Sequence, residues 1–194
     1  TVTYAQTAGA GTVTALATAN TSGGVATLDV TGNAVGSVTM RASITTPSVV
    51  NSNTLTFAVV AGGVTQMTLS AATSDLTAGV SRTLTATLKD AAGNTVPTTG
   101  TSVTFAKASG AGTVTGLGSS STTVGVATLD VSGALAGAVT LTASIADPSA
   151  IDSNTVSFTV VVGNALTLAV TGSTADLASG ATRRRSYRVG PPSA

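Results

Sequence analysis

A seven-residue segment, Gly-Val-Ala-Thr-Leu-Asp-Val, occurs twice in this chain, at positions 24–30 and 125–131. The two copies begin 101 positions apart. The same offset relates further identical residues without a gap: Pro47 and Pro148, Ser52 and Ser153, Asp75 and Asp176, Arg82 and Arg183. Repetition at one fixed offset indicates an array of similar structural units. Each unit then has about 100 residues, which is enough for a two-layer hydrophobic core.

The repeat divides the chain into four segments. Residues 1–61 match the rear part of a unit whose complete copy spans residues 64–162. Residues 163–182 match the start of a third repeat, which we expect to open with Leu166. The basic, proline-containing residues 183–194 lose the alternating pattern and are predicted to be disordered. Because the first repeat has no counterpart of the front strands in these 194 residues, we expect it to expose part of an apolar face.

Alternation of apolar and polar residues marks the strands of the complete unit. Turn residues separate these runs, as in Asp-Ala-Ala-Gly-Asn at 90–94. About seven strands are predicted, around 67–69, 84–88, 103–105, 114, 127–131, 139–145 and 156–160. Seven short strands in about 100 residues, without a helical period, predict an all-β chain of tandem immunoglobulin-like β-sandwiches. The links at 61–63 and 162–164 are too short to act as free coils, so neighbouring repeats are expected to be partners.

The composition excludes most catalytic chemistry. The chain contains no Cys, His or Glu, so the usual nucleophile, base and metal-cluster residues are missing. All seven acidic residues are Asp, and they lie singly near turns, where capping is their common role. We therefore predict that the protein is not an enzyme and assign it no catalytic or cofactor-binding residue.

The positive charge is concentrated at one end. Of eight cations, four lie close together: Arg183, Arg184, Arg185 and Arg188. The remaining chain is mildly acidic, so we expect no nucleic-acid partner. Three adjacent arginines could form a basic patch that binds nucleic acid or anionic lipid. We favour the interpretation that they arise from an artefact at the end of the sequence and have no binding role.

The start and the hydropathy of the chain bear on its location. The chain begins with Thr1 and has neither a signal core nor an apolar run of about 20 residues, so we expect an internal part of a longer protein, without membrane insertion.

Several segments resemble the bacterial immunoglobulin-like domain of the invasin and intimin type. They are 84–97 (Leu-Thr-Ala-Thr-Leu-Lys-Asp-Ala-Ala-Gly-Asn-Thr-Val-Pro), 103–105 (Val-Thr-Phe), 125–129 (Gly-Val-Ala-Thr-Leu) and 136–143 (Ala-Gly-Ala-Val-Thr-Leu-Thr-Ala). The resemblance covers all three repeats and leaves out the tail. Such domains occur in tandem in bacterial surface adhesins, where most copies form a stalk.

The resemblance implies a structural stalk or spacer module of a secreted or outer-membrane bacterial adhesin, located extracellularly at the cell surface. Its partners would be neighbouring repeats of the same chain and, through another part of the parent protein, a host-cell surface. The alternative is a module that binds a host receptor or glycan directly.

Calcium is the one cofactor for which the loops contain candidate ligands. Hard oxygen donors lie in or near turns at Asp90, Asn94, Asp130, Asp147 and Asp152, and ions at repeat junctions would stiffen an array. Their spacing matches no known calcium loop, so they are weak candidates, and solvated or capping Asp is the favoured interpretation.

Two further patterns favour a structural role. The glycines of 110–116 superficially resemble a dinucleotide-binding loop, but a strand rather than a helix is predicted to follow, so we interpret the segment as a turn. Runs of Thr-x-Thr, as at 83–87, are also found in ice-binding surfaces. Twisted sandwich sheets do not offer the flat array that such surfaces need.

Overall fold

The computed structural model describes residues 1–163 and 167–190, and the regular elements in these ranges are all β-strands. Two compact units are present. One comprises Thr1–Gln66 and Leu88–Thr98, and the other comprises Met67–Thr87 and the described residues from Thr99 onward. Among the described residues, no helix is long and apolar enough to span a membrane.

The strands follow the repeat in chain order. The first repeat contains β1 (Val2–Ala8), β2 (Val13–Thr14), β3 (Thr18–Ala19), β4 (Thr31–Gly32), β5 (Gly36–Ile44) and β6 (Val50–Val59). The complete repeat contains β7 (Gln66–Ser70), β8 (Leu76–Thr77), β9 (Ser81–Lys89), β10 (Ser102–Ser109), β11 (Val114–Thr115), β12 (Ser119–Ser121), β13 (Val126–Gly133), β14 (Gly137–Ile145), β15 (Ile151–Asp152) and β16 (Val156–Val161). Strands β17 (Thr167–Thr171) and β18 (Ser186–Gly190) follow.

The complete repeat is built from two sheets. One has the order β11-β13-β9-β7, and the other has the order β12-β10-β14-β16-β8, with β15 paired to β14. The front of the repeat contributes to both sheets, because β7 joins the first and β8 pairs in parallel with β16 in the second. All seven predicted strands are present, and the prediction of an all-β, immunoglobulin-like chain is confirmed.

The core of the complete repeat comes from the alternate residues of its strands. Successive side chains of a strand point to opposite faces, so period-two alternation buries one face of each sheet. Leu84 of β9, Phe105 of β10, Val131 of β13 and Leu141 of β14 are all at most 2% exposed.

The two copies of the identical seven-residue segment adopt different structures. In the complete repeat, residues 126–131 belong to β13, which pairs with β9 from Val126↔Thr87 to Ser132↔Ser81. The first copy, 24–30, forms no strand in the described chain, and the short β4 after it pairs only with β2. Its backbone lacks the partner that β9 provides to β13. A shared sequence therefore forms a strand only where a neighbouring strand is present.

The first repeat exposes apolar side chains that the complete repeat buries. Leu55 is 63% exposed, whereas its counterpart Val156 is 8% exposed. The small core here consists of Val13, Val38 and Met40, against which Val30, Phe57 and Val59 pack. The expected exposed apolar face is therefore present.

The C-terminal region differs from the prediction of disorder over 183–194. Strand β18 pairs antiparallel with β17, from Thr167↔Gly190 to Thr171↔Ser186. The arginines obscured a short alternating pattern in which Tyr187 and Val189, both good strand formers, are separated by Arg188. Residues 191–194 of the predicted tail, and Leu166, which was expected to open the third repeat, lie outside the described residues.

We predict that the two identical segments differ in amide hydrogen exchange. Peptides covering 125–131 should exchange at least about a hundredfold more slowly than peptides covering 24–30, because ladder hydrogen bonds protect amides until the sheet opens. Exchange of the 194-residue chain followed by mass spectrometry measures both in one sample, since flanking residues distinguish the two peptides. Equal rates would show that 24–30 has a strand partner in solution.

We predict that Leu141→Ala lowers the free energy of unfolding of the complete repeat by about 2–5 kcal/mol, since it removes a fully buried side chain and leaves a cavity. The matched control is Leu135→Ala, which truncates a side chain that is 60% exposed and should cost less than about 0.5 kcal/mol. Urea denaturation followed by circular dichroism measures both. Similar losses for the two variants would contradict the assignment of the core.

Candidate functional site

The loop between β9 and β10 is organised around the Asp90 carboxylate. Its Oδ1 accepts hydrogen bonds from the backbone N–H groups of Ala92 (3.0 Å) and Asn94 (2.8 Å), and its Oδ2 accepts one from Gly62 N–H (3.0 Å). The side-chain Nδ2 of Asn94 donates to both oxygens, at 3.2 and 3.0 Å. A carboxylate can accept all of these donors, whereas a smaller or apolar side chain could not close the turn in this way.

These hydrogen bonds favour the ionised form of Asp90. The Asn94 side chain lowers the pKa most, the Gly62 backbone N–H contributes next, and desolvation opposes them. The resulting pKa is about 2, against an ordinary value of 3.8. Asp90 is 6% exposed, yet it remains charged because polar hydrogens surround it.

The Asn94 side chain also forms hydrogen bonds to residues outside the 90–94 loop. Its Nδ2 donates to the backbone carbonyl of Asn33 (2.8 Å), and its Oδ1 accepts the backbone N–H of Val35 (3.1 Å). Both ends of the amide therefore hold the segment that precedes β5. Asn33, Val35 and the 90–94 loop all belong to the compact unit formed by Thr1–Gln66 and Leu88–Thr98.

The same loop holds the segment that links the first repeat to the complete one. Besides the bond from Gly62 to Asp90, Thr65 N–H donates to the Lys89 carbonyl (2.9 Å), and Gln66 Nε2 donates to the Asp90 carbonyl (3.2 Å). Residues 62–66 are thus fixed through both backbone and side-chain bonds. We call the Asp90 and Asn94 side chains with their partners at Asn33, Val35 and Gly62 the Asp90 clamp.

The remaining predicted donors lie elsewhere in the complete repeat. Asp130 is on β13 and accepts a hydrogen bond from Thr83 Oγ1, Asp147 lies in the turn after β14, and Asp152 is on β15. Of the five candidates, Asp90 and Asn94 are joined by direct hydrogen bonds. The described residues contain no group of three or more acidic side chains placed to hold a metal ion. A cation at Asp90 would compete with the protein donors on both oxygens, and calcium binding stays a prediction.

The structure shows side-chain interactions of Asn154 and Arg82 that the sequence patterns did not predict. Asn154, which follows β15, accepts the Leu69 N–H through Oδ1 and donates to the Leu69 carbonyl through Nδ2, both at 2.9 Å. Arg82 donates to the Asp75 carbonyl (3.1 Å), and its guanidinium carbon lies 4.5 Å from the centre of the Phe158 ring. The only sign of these contacts in the sequence is that their residues recur in the repeat: Ser153–Asn154 corresponds to Ser52–Asn53, and Arg82 corresponds to Arg183.

The glycine-containing segment 110–116 has a structural role. The strand β11 lies within it, and no helix is present there to hold a pyrophosphate. Gly110 has φ of +104°, and a Cβ built on it would lie 2.1 Å from the Ala138 carbonyl oxygen. Glycine is therefore needed for close approach of this turn to β14.

Neither a protein-family model nor a curated protein sequence matches the chain. Among solved structures it is similar to the D00-D0 domain of intimin, with 27% identity and a TM-score of 0.42 over 63% of this chain and 64% of that one. The D0-D1 domain of intimin is 21% identical, with a TM-score of 0.36 over 81% and 80%. The adhesin FdeC of Escherichia coli is 19% identical, with a TM-score of 0.41 over 74% and 46%.

Two of these solved structures are intimin domains. The chain spans less than two thirds of the length of the D00-D0 structure.

We predict that Asp90→Asn destabilises the Asp90 clamp and removes part of the acid sensitivity of the compact unit that contains it. The folded pKa is depressed, so the stabilisation is complete above about pH 4, the ordinary range of Asp, and is lost as pH falls through about 2. Thermal unfolding at pH 7 and between pH 4 and 2 should show a lower midpoint for the variant at pH 7 and a smaller acid-induced decrease.

Asp176→Asn is the matched control for this substitution, because it removes one exposed carboxylate and should leave the thermal transition unchanged. If Asp90→Asn and Asp176→Asn give the same midpoint at pH 7, the Asp90 clamp contributes nothing to stability.

Proposed function

We propose that this chain is a structural stalk or spacer module of a secreted or outer-membrane bacterial adhesin, without catalytic chemistry. The observation that carries the proposal is the Asp90 clamp, in which a buried, ionised carboxylate binds the backbone of the linker residue Gly62. Gly62 and Gly63 have no side chains that would restrict the backbone conformation of this short linker. A fixed linker suits a spacer module, because the linker sets the position of the neighbouring repeat.

The mechanism we propose is mechanical. Each complete repeat buries its own core, so a chain of repeats gains length by adding units while each new interface involves only neighbouring repeats. The 90–94 loop recurs once per complete repeat in such an array, and its hydrogen bonds to the preceding linker would restrain every joint.

The distribution of aromatic side chains favours a spacer over a module that binds a receptor or glycan directly. Binding surfaces are usually enriched in exposed aromatic residues and Arg. All five aromatic residues fall in the described chain. Phe105 and Phe158 are buried, Tyr4 and Phe57 are half-buried, and Tyr187 is 69% exposed. The exposed aromatic surface is thus a single side chain rather than a cluster.

We further propose an extracellular location at the bacterial cell surface, as expected for an adhesin module. Calcium at Asp90 and Asn94, or at Asp130, Asp147 and Asp152, remains a separate prediction. Isothermal titration of the 194-residue chain with Ca²⁺ tests it independently of the spacer proposal.

Small-angle X-ray scattering on chains with one, two and three complete repeats tests the spacer proposal. We expect the maximum dimension to grow by a constant step of roughly 35 to 45 Å per repeat, since strands of about eight residues at about 3.3 Å per residue give a body near 26 Å before loops are added. A compact particle whose dimension does not grow in this way would contradict a stalk.

The matched variant for the scattering experiment replaces Asn94 by Ala in every repeat. It removes the amide that bonds to Asn33 and Val35 while leaving the cores intact. We expect a broader distribution of dimensions with an unchanged thermal transition of the sandwich core. A distribution identical to that of the parent chain would show that the Asn94 side chain does not restrain the position of neighbouring repeats.

A further inference from the structure

Tension along the chain acts on the first and last strands of the complete repeat. The front strands β7 and β8 come first in chain order, and β16 comes last. Gly63 lies in the linker before β7, and Val162 follows β16. A pull on the two ends of the repeat therefore enters at the start of β7 and leaves at the end of β16.

The front strands are joined to β16 by three links, of which the first is the pairing of β8. Strand β8 runs parallel to the end of β16, with the residue pairs Leu76↔Val160 and Thr77↔Val161. Directly after β8, the Ala78 N–H donates to the Val161 carbonyl at 2.8 Å. Leu76 is 2% exposed, so this link combines backbone hydrogen bonds with a buried side chain.

The second link is the side chain of Asn154, which lies just before β16. Its Oδ1 accepts the Leu69 N–H and its Nδ2 donates to the Leu69 carbonyl, both at 2.9 Å. The amide thereby satisfies one donor and one acceptor of β7, as a neighbouring strand would. It attaches β7 to the residues at which β16 begins.

The third link runs through the guanidinium of Arg82. It donates to the Asp75 carbonyl at 3.1 Å, directly before β8, and its central carbon lies 4.5 Å from the centre of the Phe158 ring in β16. Phe158 is 5% exposed, so the core holds the ring in place. The face of an aromatic ring attracts a cation. Arg82 therefore joins the segment between β7 and β8 to β16.

The parallel direction of β8 and β16 decides how tension loads these links. A pull on the chain draws the front strands toward their N-terminal end and draws β16 toward its C-terminal end. Because β8 and β16 run in the same direction, these displacements are opposite, and the two strands are made to slide past each other. Their hydrogen bonds are then loaded together, in shear. Strands separated from one end would instead lose their bonds one after another.

We infer that the complete repeat is a load-bearing domain, in which the shear contacts of β7 and β8 with β16 resist tension along the chain. The lifetime of a domain under force is set by its unfolding rate, so it increases with every contact that must break before the transition state. A spacer needs only length. Resistance to tension therefore goes beyond the proposed function and does not depend on it.

Single-molecule force spectroscopy of the 194-residue chain at constant force tests the inference. The chain contains no Cys, so two introduced thiols define where the handles attach. Gly63→Cys with Val162→Cys loads the front strands against β16 in shear. A Cβ on Gly63 meets no atom within 4 Å, and Val162 is 71% exposed, so both attachments leave the fold intact. Unfolding between these handles releases roughly 300 Å of chain, which identifies the event.

Val80→Cys with Val162→Cys gives the matched unzipping geometry. Val80 follows the end of β8 and is 52% exposed, so this pair separates β8 and β16 from the end at which Ala78 bonds to Val161. We expect the lifetime at the same force to be at least about tenfold longer in shear, because several hydrogen bonds must then break together.

Asn154→Ala measures the contribution of the second link. The loss of two hydrogen bonds should shorten the lifetime in shear about tenfold or more. In the unzipping geometry β7 lies outside the pulled segment, so the lifetime should change less than about twofold. A purely structural role of Asn154 would shorten both lifetimes by the same factor. Asn53→Ala is the control, because it replaces the repeat counterpart outside residues 63–162 and should change neither lifetime.

Equal lifetimes in the two geometries would overturn the inference, and this comparison leaves every residue of the three links unchanged. An Asn154→Ala chain that survives as long as its parent in shear, or that loses the same factor in both geometries, would overturn the role of Asn154. Circular dichroism checks that each variant is folded, and if Asn154→Ala is not, the two geometries decide the question. A repeat that fails this test can still add a constant step in the scattering experiment, so the two proposals fail separately.

Discussion

The backbone pairing of β9 with β13 is the interaction on which the complete repeat depends. Seven consecutive residue pairs join the two strands. The pairing satisfies backbone groups that would otherwise need water, and it places Leu84, Ala127 and Val131 in the core with at most 1% exposure. In the first repeat, where residues 24–30 have no such partner among the described residues, the same local sequence forms no strand and Leu55 is 63% exposed. Which apolar side chains are buried in the described chain therefore follows from which strands are paired.

The Asp90 clamp shows how a charged side chain can organise an otherwise apolar protein. Asp90 is one of two buried polar residues among those described, and its donors are mainly backbone N–H groups of its own turn and of Gly62. The Asn94 side chain in turn binds the backbone of Asn33 and Val35. A carboxylate suits this position because it accepts several bonds at once and stays ionised far below neutral pH. The loop thereby combines turn formation with control of the linker.

The sequence patterns located the long strands well because each has several alternating apolar residues. They did not indicate β8, β12 and β15, since strands of two or three residues contain too few positions for a period to be visible. Strand β18 was wrongly predicted to be disordered, because the arginines before and within it and the prolines after it outweighed the alternation of Tyr187 and Val189.

Among the candidate site residues, the pair Asp90 and Asn94 could be found because both lie in one five-residue turn. The partners of that pair could not, because Gly62, Asn33 and Val35 contribute backbone atoms that any residue type would supply. Asp130, Asp147 and Asp152 were grouped with Asp90 by residue type alone. The structure places them on other elements of the complete repeat.

By itself the sequence determined the 101-residue repeat, the all-β class and the absence of His, Cys and Glu, because these depend only on residue order and type. The tertiary structure decided what each copy of a repeated residue does. Residues 24–30 and 125–131 are identical, yet one copy is a strand and the other is not, and Asn154 binds a neighbouring strand that Asn53 lacks. The physical reason is that a β-strand's hydrogen-bonding groups are satisfied by a partner distant in the chain, and no local sequence can provide that partner.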